Sequence, residues 1–324
     1  MDIPPDAQAT ADDQRGLARQ IRTTLRRAGL LEAGTISERD LLRPAVVDTA
    51  HRAQRGIRQG TPPPALRGDL ARALTAADRP RPSHGVNWPV ELAGPQPHLH
   101  RSVRRALASL PAPAPRHGDA APATAELVSW QAAEAETFEA ATRLLSDVWP
   151  EMLAELRCLV VELALLEGRA IDGFTDFAVH GAIMLNRRRL TTSRAGLPGP
   201  VRLAEALVHE GTHQRCNVAA TARPFLRAGK NEEAGLLETP LRTDPRPLTG
   251  LFQQTVVLAR SLLLFGRLLR SSPGSGAEPL KAREDRLRTA ADQAVGTLSA
   301  HRGALTPHGC ALLDRATALV RAGR

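Results

Sequence analysis

The 324-residue chain contains no tyrosine, and aromatic residues make up 3% of it although hydrophobic residues of all types make up 42%. A core with so few aromatic side chains has to be built from leucine, alanine and valine, and leucine and alanine are strong helix formers. The composition therefore predicts a mainly α-helical fold. The length is sufficient for one large domain or two ordinary ones.

Cysteine is also scarce. Cys158, Cys216 and Cys310 are an odd, widely spaced set, which argues against a disulfide framework and fits a reducing compartment. Cys216 lies three residues after His213, close to the motif described below. Because cysteine is among the most buried residue types, we expect Cys216 to be a small core residue and not a metal ligand.

Targeting and nucleic-acid signals are absent from the sequence as well. The N-terminus lacks the basic and apolar regions of a secretion signal, and no uninterrupted stretch of about 18 apolar residues occurs. We therefore expect a cytoplasmic protein with no membrane partner. The net charge is +9, but arginine is spread along the chain without interleaved aromatics, so we favour a solvated surface over nucleic-acid binding. An acidic peptide remains a possible partner.

The residues that are present carry one sharp signal, the HExxH motif formed by His209, Glu210 and His213. The run before it places Leu203 and Leu207 on one stripe without glycine or proline, as in an amphipathic helix. Two histidines four residues apart on a helix point the same way and can hold one metal ion, and the glutamate between them is a candidate catalytic proton carrier. The alternative is a helix whose histidines only form hydrogen bonds in the core, and we favour the metal.

Two histidines do not fill the coordination sphere of a metal, so a third protein ligand is required. Zinc peptidases of the glutamate type take a carboxylate from a second helix roughly twenty or more residues downstream. Glu232, Glu233 and Glu238 follow His213 by 19, 20 and 25 residues. We choose Glu238 as the predicted ligand, because Glu232 and Glu233 also fit a charged, solvated helix start.

Two chemistries follow from such a metal. In a zinc hydrolase, Glu210 activates water and a nearby donor, often tyrosine or histidine, stabilises the oxyanion; the absence of tyrosine counts mildly against this option. In a nonhaem iron oxygenase, Fe(II) binds 2-oxoglutarate and dioxygen, and an arginine pairs with the distal carboxylate of the cosubstrate. Arg242 and Arg246 are candidates for that cosubstrate-binding role, and surface arginines are the alternative.

The pattern along the chain predicts two parts. Residues 1–123 form a helical N-terminal arm with a Pro/Gly-rich irregular segment, and residues 124–324 form a mostly helical metal-binding catalytic domain. His98 and His100 lie in the irregular segment, where a proline-flanked loop is a better interpretation than a metal site. Helices are predicted at 7–28, 36–55 (capped by Thr35 or Ser37), 65–77 and 99–109, and through residues 127–145 and 150–166. A further helix is predicted from 201 through the motif, and a long apolar helix follows residue 254 and ends at about Arg270. The last two predicted helices are at 279–301 and 306–322.

Residues 174–186 alternate apolar with small or polar side chains, which is typical of a strand. We expect a small β-sheet or hairpin beside the motif helix, since in HExxH hydrolases such a strand commonly pairs with an extended peptide. His180 and Asn186 are then candidate substrate-binding residues. For His180 an ordinary place in the strand is the main alternative, because a single histidine carries no spacing information.

Four blocks of sequence together carry a resemblance to a known family. They are residues 149–155, 181–186, 203–214 with Asn217, and 242–253. In this order they resemble the HExxH-motif peptide-modification proteins of actinobacterial ribosomal-peptide (RiPP) pathways, some of which are iron- and 2-oxoglutarate-dependent peptide β-hydroxylases. The resemblance covers roughly residues 145–270 and not the first 120. It implies that His209 and His213 bind the metal, that Glu210 belongs to the site and that residues 242–248 border it.

The chain also departs from the family. There the helix after residues 242–248 begins with Gln or His, Gly and then aromatic or His positions, whereas residues 254–258 here are Gln-Thr-Val-Val-Leu. If that helix supplies the family's third ligand, this chain has lost it. The expected function is Fe(II)- and 2-oxoglutarate-dependent β-hydroxylation of a ribosomally made precursor peptide. The alternative is a zinc metallopeptidase, and a third is a degenerate, non-catalytic peptide-binding partner.

Overall fold

The computed structural model describes residues 1–32, 36–60, 65–75, 88–110, 124–240, 242–271 and 277–322, except for the side chains of 242–244. In these ranges the protein is mainly α-helical, as the composition predicted, and it also has a small mixed sheet and a two-stranded hairpin. The helices are α1 (Ala7–Arg27), α2 (Glu38–Leu41), α3 (Pro44–Arg58), α4 (Leu66–Thr75), α5 (Pro97–Ala108), α6 (Ala132–Val148), α7 (Pro150–Leu159), α8 (Gly199–Ala222), α9 (Lys230–Glu233), α10 (Leu248–Ser271), α11 (Glu278–Ala300) and α12 (Pro307–Ala322). The strands are β1 (Glu91–Ala93), β2 (Ala125–Val128), β3 (Glu162–Gly168), β4 (Gly173–Thr175), β5 (Ala182–Asn186), β6 (Leu236–Thr239) and β7 (Arg242–Pro247).

Most helices lie where the periodicity predicted them. The prediction of one helix over 36–55 is wrong in detail, because α2 ends at Leu41 and α3 begins at Pro44. Proline fits the first turn of a helix, where its missing N–H has no partner to lose. Ser37 caps α2 by accepting a hydrogen bond from the Asp40 N–H, as predicted, whereas Thr35 lies outside the described residues.

The prediction of a helix through residues 150–166 is wrong in its second half. Helix α7 ends at Leu159, and the following apolar run is β3, the central strand of the sheet. Leu163 and Leu166 are fully buried. A strand covered on both faces reads as a continuous apolar run without alternation, so its sequence can be mistaken for a buried helix.

The sheet is arranged around β3. Strand β1 pairs in parallel with the first half of β3, and β2 pairs antiparallel with its second half. On the other side β5 runs parallel to β3, and β4 pairs antiparallel with β5. The predicted strand at 174–186 is therefore two strands, separated by a 3-10 turn at Phe177–Val179. Among the described strands, β4 has β5 as its one neighbour, so β4 forms an edge of the sheet.

The hydrophobic core includes both predicted parts of the chain. Ile3 and Leu17 from the N-terminal part belong to the same buried cluster as Leu156, Leu207 and Leu258. Residues 1–123 thus supply core side chains and are more than an arm. The boundary at 123 stays a prediction, because the residues just before it lie outside the described ranges.

A buried ionic network fastens the N-terminal segment to this core. Glu155 of α7 pairs with Arg260 of α10 and lies near Arg215 of α8, and all three side chains are almost fully buried. The Asp6 N–H donates to Glu155 Oε2 at 2.9 Å. The Ile3 carbonyl accepts from Arg260 at 2.9 Å. These contacts hold the start of the chain against the helices that surround α8.

Within the described ranges, α10 is the one helix long and apolar enough to cross a membrane. However, 78% of its apolar window is buried inside the protein, as in the central helix of a soluble protein. Helix α10 packs against α8 on one side and α11 on another. It is therefore part of the core that positions the motif helix.

Candidate metal centre

The HExxH motif lies in the middle of α8, on a helix, as predicted. The His209 and His213 rings lie side by side, with their centroids 5.1 Å apart and their planes tilted by 59°. Both residues are partly exposed, whereas Leu207 and Val208 on the opposite face are fully buried. The geometry that the spacing predicted, two imidazoles on one accessible helix face, is present.

Helix α10 orients the second of these histidines. His213 Nδ1 lies 2.8 Å from Gln253 Oε1, and Gln253 Nε2 donates to Asn217 Oδ1 at 2.8 Å. In this arrangement the oxygen of the Gln253 amide faces the ring, so Nδ1 donates the hydrogen bond, and in the neutral ring Nε2 then carries the lone pair. A second residue that fixes the tautomer in this way is typical of metal-ligating histidines. No local sequence pattern predicts this contact, because Gln253 is 40 residues away from His213.

Glu210 lies between the two histidines in sequence but faces the sheet. Its side chain is buried, with the residue 6% exposed. A Cβ atom placed on Gly173 would lie 3.1 Å from Glu210 Oε1 and 3.1 Å from a methyl of Leu185. The carboxylate therefore lies against edge strand β4, at a position where a glycine leaves room for it.

The glycine of the motif has a packing role. A Cβ on Gly211 would lie 2.1 Å from Leu156 Cδ2, far inside van der Waals contact. Helix α7 can therefore approach α8 closely at this point. Gly211 thus lies at the contact between the motif helix and α7.

The third ligand stays a prediction. Glu238 lies on β6 with an exposed side chain, and Glu232 and Glu233 are exposed on α9. No set of three His, Cys, Asp or Glu side chains within the described ranges is placed to hold a metal. His209, His213 and Glu238 are therefore not brought together there as a complete ligand set.

The two candidate cosubstrate arginines lie on β7, which leads directly into α10. Arg246 pairs across the hairpin with Leu237 of β6 and is partly buried. The backbone of Arg242 lies at the start of the same strand, and its side chain is outside the described part. This hairpin thus joins the helix that carries Gln253, and the role of the arginines stays a prediction.

The two candidate substrate-binding residues are used inside the fold. His180 is 1% exposed, and its Nε2 bonds to Gln14 Oε1 at 3.0 Å. Burial lowers the pKa of His180 to about 4. The Asn186 side chain is buried and donates to the carbonyls of Gly168 and Ile171 at 2.9 and 3.0 Å. These bonds give both side chains a structural role, so we assign neither to the substrate.

The remaining candidate ligands also have structural surroundings. Cys216 is fully buried, as expected, and burial raises the pKa of its thiol to about 12. His98 was predicted in a loop, but Pro97 begins α5, and buried His98 pairs with Glu162 at 2.8 Å. Neither residue is near a further pair of ligand side chains in the described ranges.

No protein-family model and no curated protein matches the chain. The chemistry of the centre is therefore inferred from its own residues and from the resemblance of the four sequence blocks. Two imidazoles on one helix face, one of them held in the ligand tautomer, are a donor pair that suits Fe(II) or Zn(II).

Proposed function

We propose that this chain is a cytoplasmic metalloenzyme that modifies a ribosomally made precursor peptide, with Fe(II)- and 2-oxoglutarate-dependent side-chain β-hydroxylation as the favoured reaction. The observation that supports a bound metal is the pair of His209 and His213 rings on one helix face. Gln253 contacts Nδ1 of His213, which leaves Nε2 as the nitrogen for the metal. The choice of reaction depends on the family resemblance. No nucleic acid and no membrane is part of the proposal.

The proposed roles of the residues follow from their chemistry. His209 and His213 bind the metal, and Glu238 is the proposed third ligand. Bound Fe(II) with 2-oxoglutarate and dioxygen supplies the oxidising chemistry: one oxygen atom enters a peptide C–H bond to give an alcohol, and the other ends in succinate as CO2 leaves. Arg242 or Arg246 pairs with the distal carboxylate of 2-oxoglutarate through two hydrogen bonds, which orient it.

The position of β4 supports a peptide as the substrate. An extended peptide can pair with an open sheet edge through backbone hydrogen bonds, and side-chain pockets then select the sequence. Gly173 on β4 lies against Glu210, and Glu210 directly follows His209 in the sequence. A peptide on this edge would therefore run past the proposed metal.

A specific observation favours zinc-dependent peptide-bond hydrolysis as the second candidate. The Glu210 carboxylate is buried beside the edge strand, which is where a general base has to meet the scissile bond of a strand-like peptide. The third candidate, a non-catalytic peptide-binding partner, follows from the departure at residues 254–258.

The experiment is a comparison of products. The protein is incubated with a precursor peptide encoded by a short reading frame next to its gene, with Fe(II), 2-oxoglutarate and oxygen, or with Zn(II) alone. Addition of one oxygen atom to the peptide, with matching succinate, is expected. Cleavage with Zn(II) and without 2-oxoglutarate would favour the peptidase, and an unchanged peptide that His209→Ala binds equally well would favour the binding partner.

The third ligand is tested by metal content. Glu238→Ala is expected to lose stoichiometric metal, since a two-histidine site binds weakly. Asp244→Ala, at a second acidic residue of the same hairpin, on β7, is the matched variant. Loss of metal in Asp244→Ala with retention in Glu238→Ala would overturn our choice of Glu238.

A further inference from the structure

Three arginines form a cluster beside the edge strand. Arg188 and Arg189 lie in the 3-10 turn that follows β5, and Arg202 lies in the first part of α8. Arg202 donates to the carbonyls of Arg188 and Thr191. These hydrogen bonds connect α8 to the turn, so the three guanidinium groups belong to one surface, which we call the arginine cluster.

The positive charge of the arginine cluster is incompletely balanced. Asp172 lies 3.1 Å from Arg188 and 3.8 Å from Arg189, and within the described ranges it is the one acidic side chain in an ion pair with the cluster. Glu205, the next carboxylate near Arg202, is paired with Arg283 of α11. Burial, followed by the charge of Arg189, lowers the pKa of Arg202. Within the described ranges, two of the three cations thus share Asp172 as their ion-pair partner, and Arg202 donates to backbone carbonyls of the turn.

The arginine cluster is continuous with β4, the edge strand proposed to pair with the peptide. The Asp172 carbonyl accepts a hydrogen bond from the Asn186 N–H at 3.0 Å, which extends the pairing of β4 with β5 by one residue. The next residue, Gly173, lies against Glu210. A peptide paired with β4 would therefore pass the arginine cluster and, directly beside it, the HExxH helix.

We propose that the arginine cluster binds acidic side chains of the peptide that pairs with β4, so that the substrate is an acidic peptide. This proposal rests on the proposed function, in which the substrate is a peptide, and adds its chemical class and binding register. Guanidinium groups pair with carboxylates through two parallel hydrogen bonds, which gives position as well as affinity. Charge complementarity of this kind selects partners and speeds association.

The test is peptide binding by the apoprotein, measured by fluorescence anisotropy. The probes are a fluorescein-labelled Gly-Ser peptide with a run of glutamates and the same peptide with glutamines. Wild type is expected to bind the glutamate peptide about tenfold more tightly at low salt, and to lose this preference at high salt. Arg188→Gln/Arg189→Gln is expected to abolish the preference.

One further variant controls for net charge, and a second tests the effect of the competing carboxylate. Arg26→Gln/Arg27→Gln removes the same charge from an exposed arginine pair in the last turn of α1 and is expected to bind like wild type. Asp172→Asn removes the competing carboxylate and is expected to bind the glutamate peptide more tightly than wild type. Thermal melting checks that each variant is folded.

Several results would overturn the proposal. They are equal affinity for the two peptides, the same loss in both double variants, weaker binding by Asp172→Asn, or stronger binding of a single-stranded oligonucleotide than of the glutamate peptide. The assay needs no metal. A protein that binds Fe(II) and 2-oxoglutarate but ignores the glutamate peptide would refute this inference alone, whereas acidic-peptide binding without any metal site would refute the proposed function alone.

Discussion

His213 Nδ1 lies 2.8 Å from Gln253 Oε1, and this contact joins the second histidine of the motif to helix α10. Gln253 is itself oriented by Asn217, one turn after His213 on α8. The ring of His213 is thus held from two helices. Such partners set which nitrogen faces a metal, and their loss typically weakens metal binding about 10- to 100-fold.

The first prediction concerns Gln253. Gln253→Leu is expected to weaken Zn(II) or Co(II) binding about 10- to 100-fold, whereas Gln253→Glu, which still accepts the Nδ1 proton, retains it. Competition with a chelator of known affinity measures the effect. The control is the neighbouring Gln254→Leu, since the buried Gln254 Oε1 has no hydrogen-bond partner among the described residues. Equal affinity in Gln253→Leu and Gln254→Leu would contradict the role of Gln253.

A second prediction concerns the motif glycine. Gly211→Ala places a methyl group where Leu156 Cδ2 lies, and overpacking of a core contact costs about 1–3 kcal/mol. The free energy of unfolding, from urea titration, is expected to fall in spite of the higher helix propensity of alanine. Gly296→Ala is the control, since no described residue lies within 4 Å of the new methyl group on α11, and it is expected to stabilise by about 0.5–1 kcal/mol. Stabilisation by both variants would contradict close packing at Gly211.

The sequence predicted the motif helix and most other helices, because apolar stripes and proline positions are local signals. It failed at β3, where burial on both faces erases the alternation that distinguishes a strand. It also failed for Gln253 and Gly173, whose contacts with His213 and Glu210 depend on how distant elements pack. Spacing on one helix can predict a pair of ligands, but it cannot predict which residues support them.

A third prediction concerns pH. Burial lowers the pKa of His180 to about 4, against about 6.5 in an unfolded chain. Between these values the unfolded state binds a proton that the folded state does not. The contribution of His180 to the free energy of unfolding is therefore complete above about pH 6.5. It is lost as the pH falls towards 4, by about 3 kcal/mol in total.

The check is urea unfolding of wild type and His180→Gln between neutral and mildly acidic pH. The variant is less stable at neutral pH, and its stability is expected to fall less steeply as the pH is lowered. The comparison of slopes removes the contribution of the other carboxyl and imidazole groups. Parallel slopes would contradict a buried, neutral His180.

The fourth prediction concerns the buried network at Glu155. Glu155→Gln leaves the charge of buried Arg260 without its partner, which is expected to cost about 3–5 kcal/mol. Asp314→Asn, in the solvent-exposed pair with Arg302, is the control and is expected to cause no measurable change. Chemical denaturation measures both. A loss no larger in Glu155→Gln than in Asp314→Asn would mean that the network does not hold the N-terminal segment.

The most direct test of the central claim is an anaerobic titration of the apoprotein with Fe(II) and 2-oxoglutarate, which requires no known peptide. We predict a visible charge-transfer band of 2-oxoglutarate bound to iron, and its absence in His213→Ala. No band together with tight, stoichiometric Zn(II) binding would contradict the oxygenase and favour the peptidase. Failure to bind either metal would contradict the metal centre itself and leave a peptide-binding protein.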